Sequence, residues 1–308
     1  MLKSNKVCLT IAISFFAFLF FCHPVFSLVR VVTTTTDLAA ITQEVGKDKV
    51  QVESLSRGNQ DPHFVDPKPS FMVKLQKADL LIVVGLDLEI GYIQPLIDGS
   101  RNPKIRKGGA GYMDASAGCE ILQIPNVKVE RSMGDIHIYG NPHYWLDPVN
   151  GKVIAKNIAV ALSRVDPANA GFYSENAKSF GKRIDEKLEE WKKKLAPCKG
   201  AEIITYHNSW PNFARRFGIV VAGHVEPKPG IPPTPSHTVS VISTIKEIGI
   251  KAIVVEPYFD KKAPNAIASK TGAKVLVLPP SVGGVQGTDD YFALFDYIVS
   301  QLASALGG

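Results

Sequence analysis

Short β-branched apolar runs recur along the chain, each closed by glycine, proline or charge and followed by a stretch of helical period. They read LVRVVTTTT (28–36), ADLLIVVGL (78–86), AEIITYH (201–207), GIVVAG (218–223), GIKAIVVEP (249–257) and AKVLVLPP (273–280). Strands that are apolar almost throughout, without alternation, belong to parallel sheets whose two faces are both covered by crossover helices. The pattern predicts an α/β fold.

The strongest helical period lies between two groups of these runs, from Ala168 to Ala196. Phe172, Phe180, Ile184, Leu188, Trp191 and Leu195 follow one another at spacings of 8, 4, 4, 3 and 4, a single apolar stripe of 3.6-residue period. Asp166-Pro167 reads as its cap, Lys192, Lys193 and Lys194 suit the negative end of the helix dipole, and Pro197 and Gly200 stop it. At 1.5 Å per residue such a helix runs ~40–45 Å, long enough to lie along two lobes. The expected architecture is therefore an N-terminal α/β lobe (28–165), one long connecting helix (166–198) and a C-terminal α/β lobe (199–308). Each lobe holds a mainly parallel sheet flanked by helices. A strut of this kind lacks small hinge residues, so large closure of the lobes is not expected.

The first 27 residues change the picture of where the chain works. Lys3 and Lys6 precede an apolar run from Val7 to Cys22, and Val25 and Ser27 are small enough to direct cleavage, which together predict a secretory signal peptide at 1–27. The run is short for a membrane span of ~20 residues and ends at His23-Pro24. Lipidation at Cys22 is disfavoured because the bulky Phe21 precedes it. The expected location is the periplasm, as a soluble and monomeric protein. Formal charge is +6, two units of it in the leader, and the lysines are scattered, so nucleic acid is not an expected partner. Cys119 and Cys198 could pair in an oxidising compartment or be incidental.

Candidate chemistry rests on three of the seven histidines. His63 (NQDPHFVDPKPS), His143 (GNPHYWLDP) and His207 (ITYHNSW) all stand where strands give way to loops, and in an open parallel sheet ligands gather outside those strand ends. His63 and His143 each follow a proline and precede an Asp-Pro pair, Asp66-Pro67 and Asp147-Pro148, so both sit in stiffened turns. Stiff loops lower the entropic cost of assembling a metal site. Separations of 80 and 64 residues mean that only the fold can assemble the three imidazoles, in the cleft between the lobes.

Several longer stretches resemble one family. DPHFVDPKPSFMVKLQKADLLIVVGLDLE (61–89), GNPHYWLDP (140–148), YHNSWPNFARRFGI (206–219), EPKPGIPPTPSH (226–237) and IKAIVVEPYFD (250–260) are similar, in this order, to the metal-binding receptors of zinc and manganese ABC importers, the ZnuA/TroA-like family. The resemblance implies two α/β lobes on a helical backbone, a divalent metal held between them and delivery to an ABC permease. It places the family's histidine ligands on His63, His143 and His207.

Two features depart from the family pattern. Many members supply a fourth, acidic ligand after the last strand of the second lobe. Here that loop reads LPPSVGG (278–284), without an acid near Pro279, while Asp289 and Asp290 look like helix-start residues. The fourth position falls to water or to Glu256 at the end of KAIVVE, which could equally orient an imidazole from behind. Some zinc receptors also carry a His-rich insertion before the second histidine. Here VERSMGDIHIYGNPH offers only Asp135 and His137, with His137 read as an exposed loop residue or a transient zinc contact. His224 and His237 read as loop hydrogen-bonders. A site dominated by imidazole suits zinc, with manganese the other family cargo. The expected function is zinc capture and delivery to an ABC permease; the alternatives are a manganese receptor or a zinc hydrolase, the latter lacking an HExxH helix.

Overall fold

The computed structural model describes residues 28–126 and 137–307, so the leader read at 1–27 and Asp135 lie outside the described residues. The first sheet contains β1 (Val29–Thr33), β2 (Val50–Ser54), β3 (Leu80–Val83) and β4 (Tyr112–Asp114) in the order β2-β1-β3-β4. The second contains β5 (Glu202–Thr205), β6 (Val220–His224), β7 (Ala252–Val255) and β8 (Lys274–Val277) in the order β6-β5-β7-β8. Every pairing is parallel. The central strands β3 (LLIV) and β7 (AIVV) are buried at every position, as their unbroken apolar sequences require. Two edge strands escaped the sequence reading: VQVES of β2 alternates and is half-exposed, and YMD of β4 is only three residues long.

Around the first sheet lie α1 (Thr36–Gly46), α2 (Pro69–Lys77), α3 (Ile93–Ser100) and α4 (Pro148–Val165). The long helix α5 (Ala170–Leu195) leads to the second sheet, which carries α6 (Pro211–Phe217), α7 (Pro235–Ile248), α8 (Lys262–Thr271) and α9 (Tyr291–Leu306). The 26 residues of α5 span ~39 Å at the usual rise. Its stripe begins one residue later than the periodicity suggested: Tyr173 is buried and Phe172 is 37% exposed. Seven residues before Phe180 lies closer to the same face than eight, which explains the shift. Asp166 does not cap α5. It accepts instead from the Asn169 amide (2.7 Å) and the Tyr173 hydroxyl (2.5 Å), and a short 3-10 turn, Pro167–Asn169, leads in.

The helix joins both halves through named contacts. Asn176 donates to the Val45 carbonyl in α1 (2.9 Å), while Trp191 donates to Asp296 in α9 (2.7 Å) and packs on Phe295. One apolar core runs from Val31 and Ile82 through Trp145, Ile158 and Ile184 to Val254 and Phe295, so the two sheets share an interior. Polar clasps reinforce it. Tyr291 donates to the Trp145 carbonyl (2.6 Å), the Trp145 indole donates to the Pro280 carbonyl (2.8 Å), and Arg216 grips Asp147 with two bonds of 2.7 Å. Asp290 caps α9 by accepting from Phe292 and Ala293, as a helix-start residue should. Cys119 and Cys198 are both free thiols.

Candidate metal centre

In each sheet the order turns around a central pair, β1/β3 and β5/β7, so successive connections leave in opposite directions and open a crevice at the carboxyl ends of the strands. The loop after β2 carries His63, the long connection after β4 carries His143, and His207 stands two residues beyond β5. The structure brings these three together: their ligand atoms all lie within 4.8 Å of one another. Ring centroids are 5.2 Å apart for His63–His143, 5.4 Å for His63–His207 and 5.5 Å for His143–His207. A cavity of about 390 Å³ opens beside them, walled by Gln123, Asn141 and Pro229.

Each ring is held by its Nδ1. Asp61 Oδ1 lies 2.7 Å from Nδ1 of His63, Asn141 Oδ1 lies 3.0 Å from that of His143, and Glu226 Oε2 lies 2.7 Å from that of His207. An acceptor at Nδ1 keeps the proton there and leaves the Nε2 lone pair for a cation, the usual arrangement behind metal-binding histidine. Nε2 of His63 and of His143 is buried without a hydrogen-bond partner, as this tautomer predicts.

The sequence reading missed the residues doing this. Asp61 and Asn141 sit two positions before their histidines, across a proline. Each accepts from the backbone N–H of its histidine (3.0 Å in both) with the same oxygen that holds the ring. The readable signal was [Asp/Asn]-Pro-His, twice, whereas the Asp-Pro pairs that follow have unequal roles. Asp147 caps α4 and pairs with Arg216, while Asp66 is exposed. Glu226, just past β6, had no local signal. It reaches His207 because β6 runs beside β5.

Glu256 lies at the end of β7, fully buried, but outside the set of atoms within 4.8 Å. One of its oxygens accepts from Ser209 (2.8 Å) and from the Trp210 indole (2.9 Å), and the other is unpartnered. The role of orienting His207 through Nδ1 therefore belongs to Glu226. The 278–284 segment contributes the Pro280 carbonyl to Trp145 and no acid. His224 and His237 are tied into loop hydrogen bonds: His224 Nδ1 lies 2.8 Å from the Thr205 hydroxyl, and His237 Nε2 lies 2.9 Å from the His224 carbonyl. His137 is half-buried rather than exposed, with its ring 5.2 Å from that of His63.

Electrostatics divides the rings. Burial, helped by the neighbouring imidazoles, drives His143 well below its ordinary value, so it is neutral. Burial also pulls on His207, but the hydrogen bond to Glu226 and the nearby Glu256 and Asp61 hold it above the ordinary imidazole value. Burial pushes Glu256 up to about 7 against the opposing pull of His207, Ser209 and Trp210. The result is a buried nitrogen-rich pocket backed by carboxylates, able to take a divalent cation at the cost of displacing a proton.

Residues 31–305 match the family described as ZnuA, zinc-uptake complex component A, periplasmic. The chain is 26% identical over 286 residues to a manganese ABC transporter substrate-binding lipoprotein, PsaA, of Streptococcus mitis, covering 90% of this chain and 89% of that one. It is 27% identical over 287 residues to a metal ABC transporter substrate-binding lipoprotein of Lactococcus lactis, covering 90% and 88%. Among solved structures, a crystal structure of ZnuA superposes with a TM-score of 0.75 at 26% identity, covering 91% of this chain and 99% of that one. A zinc-bound ZnuA deletion mutant gives 0.77 at 25% identity, covering 92% and 99%.

Proposed function

The chain belongs to the ZnuA family of metal ABC substrate-binding proteins, receptors and not enzymes, and from that membership we propose that it captures zinc on His63, His143 and His207 and hands it to a membrane permease. The observation that carries this reading is the convergence of three imidazoles whose other nitrogens are already engaged. Tetrahedral zinc with Zn–N of ~2.0–2.1 Å would set its nitrogens ~3.3 Å apart, so the rings need to draw in only modestly.

Zinc is favoured over manganese by the donor set. Among the described residues no carboxylate oxygen joins the three nitrogens within 4.8 Å, and manganese prefers oxygen donors. The S. mitis relative is named for manganese, which makes the comparison of the two ions the decisive one. We assign Glu256 to a supporting position, adding negative charge beside His207 while Ser209 and Trp210 hold it. A hydrolase reading has no support from the family.

The receptor is read as extracytoplasmic, monomeric and without affinity for nucleic acid. Among the described residues no helix is long and apolar enough to cross a membrane. The lipoprotein names of the relatives return Cys22 to consideration as a lipid attachment site, against the cleavage after Ser27 read from the sequence. Intact mass of the mature protein separates the two.

Isothermal titration with zinc and with manganese tests the main reading. Wild-type protein is expected to bind zinc more tightly, and His63→Ala, His143→Ala or His207→Ala to weaken it by orders of magnitude. Unchanged affinity in the three variants would refute it.

A further inference from the structure

We propose that His137 is the fourth ligand of the cargo ion, completing a site of four imidazoles. The inference rests on the metal-receptor reading above and names the donor that the missing acid of the 278–284 segment leaves open.

Three observations carry it. First, His137 borders the cluster through His63, at 5.2 Å between ring centroids, the same separation as His63–His143. It also lines the cavity beside His143 and His207. Second, its Nε2 is buried with no hydrogen-bond partner, in company with Nε2 of His63 and of His143. Its hydrogen bond to the Leu86 backbone must then use the other ring nitrogen. His137 thus shares with His63 and His143 one rule, one nitrogen spent on a protein acceptor and the other buried and unpartnered. A solvated loop histidine has no reason to obey it. Third, the acceptor is itself unusually placed. Gly85, Leu86 and Asp87 are consecutive left-handed residues with φ of 81°, 54° and 63°. Two of these are not glycine, and such backbone is kept at a cost of order 1 kcal/mol per residue only where its surroundings fix it. Here it lies just past β3 and accepts from the His137 ring at Leu86.

His137 stands outside the set of atoms mutually within 4.8 Å. In the proposed complex the cation draws that ring inward, and the ring moves more readily than those of His63 and His207 because its acceptor is a main-chain carbonyl rather than a carboxylate. A fourth imidazole in place of an acid also strengthens the preference for zinc over manganese.

The test is zinc K-edge absorption of the loaded protein, with competition titration of zinc alone. Wild type is expected to show four imidazole donors. His137→Ala is expected to show three, to lose about 100-fold in zinc affinity, one ligand's share of a four-ligand site, and to keep the apoprotein's melting temperature. Three imidazoles plus an oxygen donor in the wild type, with His137→Ala titrating unchanged, would overturn the proposal while leaving the receptor reading intact. A wild type that binds no zinc would overturn both.

Discussion

At the scale of single residues, the site is governed by what stands behind each imidazole. Glu226 holds His207 above its ordinary value, while burial has already neutralised His143. A raised imidazole keeps its proton until the pH climbs past its own value, and the metal must displace that proton. Zinc affinity should therefore begin to fall on acidification above about 6.5, the unperturbed imidazole value, and not only below it. Glu226→Gln removes the charge that favours the proton, so the onset should move to lower pH. The same change should weaken binding at pH 8 by about 10–100-fold. Titrations from pH 5.5 to 8 on both proteins check the onset and the loss together. An onset that does not move would deny Glu226 this role. The three histidines stood out in the sequence as loop histidines, two behind a proline and one just past a strand, although His63 and His143 lie well beyond β2 and β4. Their acceptors were less legible. Asp61 and Asn141 were readable two positions upstream, but Glu226 reaches His207 only through the pairing of two strands, a relation no local pattern contains.

At the scale of elements, the helices α4 and α9 meet through a glycine. A Cβ on Gly151 would fall 2.6 Å from the Tyr291 hydroxyl, the same hydroxyl that donates to the Trp145 carbonyl. Gly151→Ala should push that ring away, cost about 1–3 kcal/mol as overpacking does, and lower the melting temperature measured by calorimetry. An unchanged melting temperature would show that the ring is free to shift. The sequence reading located both sheets and the connecting helix from unbroken apolar runs and one long stripe. It failed at β2 and β4, where edge position leaves side chains exposed and weakens the apolar signal. It also failed at the start of α5, where Tyr173 and not Phe172 faces inward because its hydroxyl finds Asp166.

At the scale of the whole molecule, the loop bearing His63 is seated directly on the second half. A Cβ on Gly58 would fall 2.1 Å from the Val282 carbonyl and 2.6 Å from the backbone of Gly283 and Gly284. Gly58→Ala cannot be absorbed by a flexible side chain and should lift this loop from its seat, moving His63 relative to His207. Zinc binding should weaken by about 10-fold or more, since a ring misplaced by an ångström loses much of its value in a preorganised site. Calorimetric titration reads the loss, and His143, on a different loop, should keep its chemical shift in the apoprotein. The continuous interior through Trp145, Ile184 and Phe295 bears on how the ion leaves. A common interior opposes a wide swing of one half against the other, because such a swing would expose apolar surface to water. On the proposed receptor reading, unloading would begin at the rim, where a docked permease could prise at the turns that present the rings, so that the stiffness behind a tight grip would also call for a second protein to undo it.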